Sequence, residues 1–175
     1  LKVYRPADAI ETAECWALAL ADKAAPSVIA LSRQDLPAVR LAHSDDNLCG
    51  RGAYELSPAS GAAKVTLLAT GSEVEIALAA QKLLQAEGIA ARVVSVPCFA
   101  LFERQEASYR QAVLMPATVR IAVEAGIEQG WEKYIGERGG FVGMHGFGAW
   151  APYQQLYKHF GITADAVAAA AKARL

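Results

Sequence analysis

A chain of 175 residues, 54% of them hydrophobic and with a formal net charge of -1, is long enough for one ordinary core and a fragment of a second. Seventeen basic residues against eighteen acidic ones, with no basic stripe, exclude a nucleic-acid surface, and no apolar run reaches the roughly 18 residues needed to span a bilayer. Three cysteines, Cys15, Cys49 and Cys98, stand far apart with no C-x-x-C pair and no histidine at metal-ligand spacing, which fits reduced thiols in the cytoplasm.

The opening "LKVYRPADAIE" has neither an initiator Met nor a signal-peptide pattern, and reads as the start of a piece cut from something longer. "RPADAIETAECWALALADK" predicts a helix from about Pro6 to Lys23: Pro6 suits a first turn, Asp8 and Glu11 the positive end, and Ile10, Ala13, Ala17 and Ala21 line one face. "SVIALS", Ser27 to Ser32, reads as a short buried strand with no sheet near it. Arg33 to Ala63 is too long for a loop inside a compact domain, broken only by a short strand at "AYEL". Residues 1–57 are therefore expected to be the last helix and strand of a preceding domain plus a linker, and residues 58–175 a separate domain.

In that second part "VTLLA" (Val65 to Ala69), a helix from Ser72 to Glu87, a stop at Gly88 and "ARVVSV" (Ala91 to Val96) form a βαβ pattern. Both strands are apolar throughout, as strands buried on two faces should be. Strands at "VRIAVEA" and "GFVGM" follow, alternating with helical segments near Phe102 to Leu114, Gln129 to Gly136, Tyr153 to Phe160 and Ala164 to Arg174. The class is α/β: a small, mostly parallel sheet flanked by helices, preceded by a helix-strand remnant of another α/β domain.

Two glycine corners invite a phosphate. In "ATGSEVE", Ser72 and Glu75 make an S-x-x-E capping box, so that the helix satisfies its own free N–H groups, and Glu73 and Glu75 repel an anion. "GFGAWA", Gly146 to Ala151, fits G-x-G-x-x-A but lacks the further βαβ units a dinucleotide fold needs, and reads as a turn. His43, His145 and His159 stand alone and read as structural or solvated. Glu124, at the end of an apolar strand, occupies a place where α/β sheets put ligands, with Glu128 one helical turn later; both read as surface or cap carboxylates. Trp131 and Tyr134 fit either the core or a subunit contact.

The series "VYRPADAIETAECWALAL", "SVIALSRQDLP", "LLATGSEVEIALAAQKLL", "ARVVSVPCFALFERQ", "YRQAVL", "VEAG" and "GFGAWAPYQQLYKHFGIT", in order and covering essentially the whole chain, resembles the C-terminal stretch of bacterial transketolases. The resemblance implies a homodimeric transferase of the pentose phosphate pathway that uses thiamine diphosphate and a divalent metal, magnesium or calcium. Such an enzyme moves a two-carbon ketol unit from a ketose phosphate to an aldose phosphate. The first part would be the tail of the pyrimidine-binding domain and the remainder the family's C-terminal domain. It also implies that the cofactor, metal and catalytic residues precede Leu1, so the fragment alone binds no cofactor and is inactive. One residue carries over: the arginine of "LSRQDLP", Arg33, corresponds to one that binds the phosphate of the sugar substrate. "GFGAWAP" departs from the pattern, with Ala149-Trp150 where relatives place a serine before Ala-Pro, which removes a helix-capping hydroxyl. Two alternatives stay open at this point: a related thiamine enzyme, such as 1-deoxyxylulose-5-phosphate synthase or a 2-oxo acid dehydrogenase β-type chain, and a stand-alone binding or assembly module.

Overall fold

In the computed structural model, which describes residues 1–42 and 44–175, three apolar strands become the centre of a sheet. β4 (Val65–Ala69), β5 (Ala91–Ser95) and β6 (Val119–Val123) lie parallel, with Leu67 opposite Val93 on one side and Ile121 on the other. The spatial order is β3-β5-β4-β6-β7. β7 (Gly140–Val142) extends the parallel set, and β3 (Tyr54–Ser57) closes the other edge antiparallel to β5. Tyr54–Ser57, which the sequence places on the linker side, is thus a strand of this sheet.

Alternation along the strands divides two apolar layers. Val65, Leu67, Val93 and Ile121 face α2 (Glu73–Ala86) and α7 (Ala164–Lys172), meeting Val74, Ala77, Ala80, Leu84, Val167 and Ala171. The α2 contacts recur at the three- and four-residue spacing of one helix face. Leu68, Val94 and Ala122 face α3 (Phe99–Phe102), α4 (Ala107–Leu114) and α5 (Glu132–Ile135). The helix expected near Phe102 to Leu114 is therefore two short ones. α2 stops where Gly88 takes φ +75°, a left-handed conformation that glycine adopts without a Cβ clash.

The N-terminal unit is smaller. β1 (Lys2–Tyr4) pairs in parallel with β2 (Ser27–Ile29), Tyr4 opposite Ile29, and α1 (Ala9–Ala21) crosses between them. β1 has no signal in the sequence, being only Lys-Val-Tyr, and it supplies the sheet that "SVIALS" lacks. β2 is not buried on both faces: Val3 and Val28 stand about half exposed, at 45% and 46%, because α1 covers one side only. Pro6 lies before α1, whose N-cap is Asp8. One Asp8 oxygen accepts from Glu11 N at 2.8 Å, and the other accepts from Val39 N and Arg40 N at 3.1 and 3.0 Å, pinning the following segment to the helix start.

Candidate functional site

The C-terminal ends of β4 and β6 and the segment after β2 meet at one place. After β4 the chain turns through Thr70 and Gly71, where φ is +57°. The capping box does not form: Ser72 is itself helical, with φ -59° and ψ -23°, and makes no side-chain cap, while Glu75 is exposed. Backbone carbonyls have taken the donors instead, Glu73 N bonding Thr70 O at 3.3 Å and Val74 N bonding Gly71 O at 3.2 Å. The Ser72 hydroxyl donates to Glu73 Oε1 at 2.7 Å.

Glu73 is fully buried. It accepts from Arg5 Nη2 at 3.0 Å and from the Tyr157 hydroxyl at 2.6 Å, and burial with that carboxylate beside it pushes the Tyr157 phenol well up from its ordinary value. Glu124, expected as a surface or cap carboxylate, also pairs with Arg5, and its second oxygen accepts from Trp131 Nε1 at 2.6 Å. Glu124 is thus neither a surface nor a cap carboxylate: at the strand end the chain's own Arg5 pairs with it. Arg5 was not singled out: "YRPADA" marks only an extended residue before proline, and its partners lie 68 and 119 residues away. Glu128 is exposed. Trp131 and Tyr134 are core residues, 1% and 4% exposed, packed with Phe99 at ring separations of 4.8 and 5.1 Å.

Arg33 lies just beyond this corner, past the end of β2, and is exposed. It opens onto a cleft of about 510 Å³ lined by Gln34, Ala149, Trp150, Ala151, Pro152, Tyr153 and Leu156. No carboxylate among the described residues pairs with it; the surface pair with Asp35 that its neighbourhood in sequence allows does not form. A second hollow of about 270 Å³ adjoins it, with Ser32, Gln34, Ser72, Glu73, Tyr153 and Tyr157 in its wall. "GFGAWA" forms neither strand nor helix: Phe147 is 100% and Trp150 95% exposed, and α6 (Tyr153–His159) follows with Pro152 at its N-cap and no side-chain cap, as expected without the serine. His145 and His159 are exposed; His43 lies outside the described residues.

The thiols lie away from this cleft. Cys15, Cys49 and Cys98 are free and buried around Tyr4, and contact with Cys15 together with burial pushes the Cys49 thiol far up. Among the described residues no group of three or more His, Cys, Asp or Glu side chains could hold a metal ion, and no helix is long and apolar enough to cross a membrane. What the cleft presents is an exposed guanidinium, with no carboxylate partner among the described residues, beside the aromatic side chains of Trp150 and Tyr153.

Sequence signals missed a second constellation where α1 meets the sheet. Glu11, wholly buried, accepts from Ala7 N at 2.7 Å, the Tyr54 hydroxyl at 2.7 Å and the Ser95 hydroxyl at 2.6 Å. Nearby, Arg40 pairs with both oxygens of Glu14, one of which also accepts from Cys49 N at 2.9 Å. Tyr54 and Ser95 come from β3 and β5, 43 and 84 residues away from Glu11, so no local spacing announces them.

Comparison with known proteins identifies the architecture. Residues 52–163 match the family described as the Transketolase-like TK C-terminal domain. The chain is 58% identical over 172 residues to the transketolase of Sinorhizobium medicae, covering 98% of this chain and 25% of that protein. Among solved structures, a transketolase from Leishmania mexicana superposes with a TM-score of 0.87 at 40% identity, covering 99% of this chain and 25% of that one. A transketolase of Pichia stipitis in complex with sedoheptulose-7-phosphate gives a TM-score of 0.89 at 33% identity, with the same coverage. The chain thus spans about a quarter of the relatives it matches.

Proposed function

The chain belongs to the transketolase family, matching its C-terminal portion, and from that premise we propose that it serves a full-length cytoplasmic transketolase as the part that holds the sugar phosphate. That enzyme transfers a two-carbon ketol unit from a ketose phosphate to an aldose phosphate, using thiamine diphosphate and magnesium or calcium, as a homodimer. In this reading residues 1–57 end the pyrimidine-binding domain and form the linker, and residues 58–175 are the C-terminal domain. The 175-residue chain alone is inactive. Its described residues do not fit the cofactor: they offer no metal-binding cluster, and the carboxylates at the strand ends are committed to Arg5. No chemical step is therefore assigned to them.

The observation that carries the reading is Arg33, exposed at the mouth of a cleft with no carboxylate of its own. The C-terminal end of a strand is where α/β sheets take ligands. A guanidinium presents a planar fork of donors that matches two phosphate oxygens, which a lysine does not. In the intact enzyme Arg33→Ala raises KM for phosphorylated sugars by about ten- to a hundred-fold, the loss of one charge-assisted hydrogen bond of ~1.5–3 kcal/mol. Small non-phosphorylated substrates are left almost unchanged. If steady-state kinetics show both substrate classes weakened equally, or neither, Arg33 is not the phosphate anchor.

A further inference from the structure

The connections leaving β4 and β6 diverge, that from β4 through α2 to β5 on one side and that from β6 toward β7 on the other. Between these neighbours lies the crevice that open α/β sheets use for ligands. Here it is filled by one residue of the N-terminal unit. Arg5 N donates to Pro97 O at 2.9 Å beyond β5, Arg5 O accepts from Gly71 N at 3.0 Å beyond β4, and the guanidinium bridges Glu73 and Glu124.

The two carboxylates are held by groups other than Arg5. Trp131 Nε1 fixes Glu124, and the hydroxyls of Tyr157 and Ser72 fix Glu73. Their orientation is therefore supported by side chains of the sheet and its helices as well as by Arg5. Two carboxylates, one of them with a fully buried side chain and the other only 17% exposed, call for one cation that can donate in two directions within a plane. A compact, strongly hydrated ammonium has no such planar fork.

We infer that the crevice at the ends of β4 and β6 is a guanidinium-binding site whose resident ligand is the chain's own Arg5, so that the N-terminal unit docks on the sheet domain by ligand recognition rather than by apolar packing alone. Detached from the backbone, the same chemistry is carried by a small alkylguanidinium.

The test is chemical rescue in the 175-residue chain. Arg5→Ala lowers Tm, and 20 mM ethylguanidinium, at ionic strength matched with sodium chloride, restores about 2–4 °C of the loss by binding the native state. Ethylammonium at the same concentration restores nothing, the wild type does not move, and Arg5→Ala with Glu124→Gln shows no recovery. Equal effects of the two cations on Arg5→Ala, or the same rise in wild type, overturn the assignment. If Arg5→Ala does not fold unaided, the readout is its refolding yield in ethylguanidinium against ethylammonium; equal yields overturn it too.

Discussion

Between α2 and the sheet, Val65, Leu67, Val93 and Ile121 meet Val74, Ala77, Ala80 and Leu84, carbon against carbon. Across the seam where α1 meets β3 and β5, the equally buried Glu11 is gripped by Tyr54, Ser95 and the Ala7 amide, with Arg40 and Glu14 beside it. The first surface is held by area, which is non-directional and tolerates change of shape within limits of volume. The second is held donor by donor, and each lost acceptor strands a group that water no longer reaches. Equal burial therefore hides different sensitivities: the sheet core responds to volume and the seam to polarity.

The largest effect expected is in the apolar core. Leu67→Ala, at a side chain with no exposed surface, lowers stability by about 2–5 kcal/mol in urea unfolding through lost transfer energy and a cavity. At the seam Glu11→Leu, close in volume, costs roughly 2–3 kcal/mol because three donors lose their acceptor, whereas Glu11→Gln costs under about 1 kcal/mol, since the two hydroxyls can turn to accept from the new amide. Equal losses for Leu and Gln would erase the distinction between the regions.

Acidity sharpens the same contrast. Burial holds the Glu11 carboxyl above the ordinary 4.5, against the opposing pull of Ser95, Tyr54 and the Ala7 amide. The folded chain keeps this proton where the unfolded chain has lost it. Its contribution to stability is complete below 4.5 and declines as the pH rises from there through the folded-state value, by at most ~1.4 kcal/mol per pH unit. Glu11→Gln removes that slope, as urea midpoints across a pH series would reveal; parallel curves for both proteins would refute it. Smaller still, Tyr157→Phe removes one hydroxyl from Glu73 and costs about 1 kcal/mol. Lys172→Ala, breaking an exposed pair with Glu87, shifts the midpoint by less than about 0.5 kcal/mol.

These regions were also unequally legible. β4, α2, β5 and β6 follow from runs such as "VTLLA" and "ARVVSV" with a helical segment stopped at Gly88 between them, because that pattern is written locally. The seam is not. β1 is three residues whose pairing partner lies beyond α1, and Glu11 takes Ser95 from 84 residues away. The capping box failed for a physical reason: Ser72 and Glu75 have the right spacing, but the tight turn at Thr70 and Gly71 satisfies the helix donors first. Trp131 and Tyr134 could not be assigned from composition, since an aromatic pair serves a core and an interface equally well; the rings of Phe99 and Phe102 decide it. Arg33 is singled out only by the resemblance, since nothing in its own neighbours marks it off from a solvated arginine.

Cys15 on α1, Cys49 in the 3₁₀ turn Leu48–Arg51 and Cys98 just past β5 belong to three separate elements, yet all three gather in the seam. They are the only cysteines of the 175 residues. A thiol reagent added to the native protein therefore finds no target until the seam opens. When reclosing is fast, the modification rate measures how often the seam is open. The rest of the molecule stays silent in that experiment, and the joint carries its own clock.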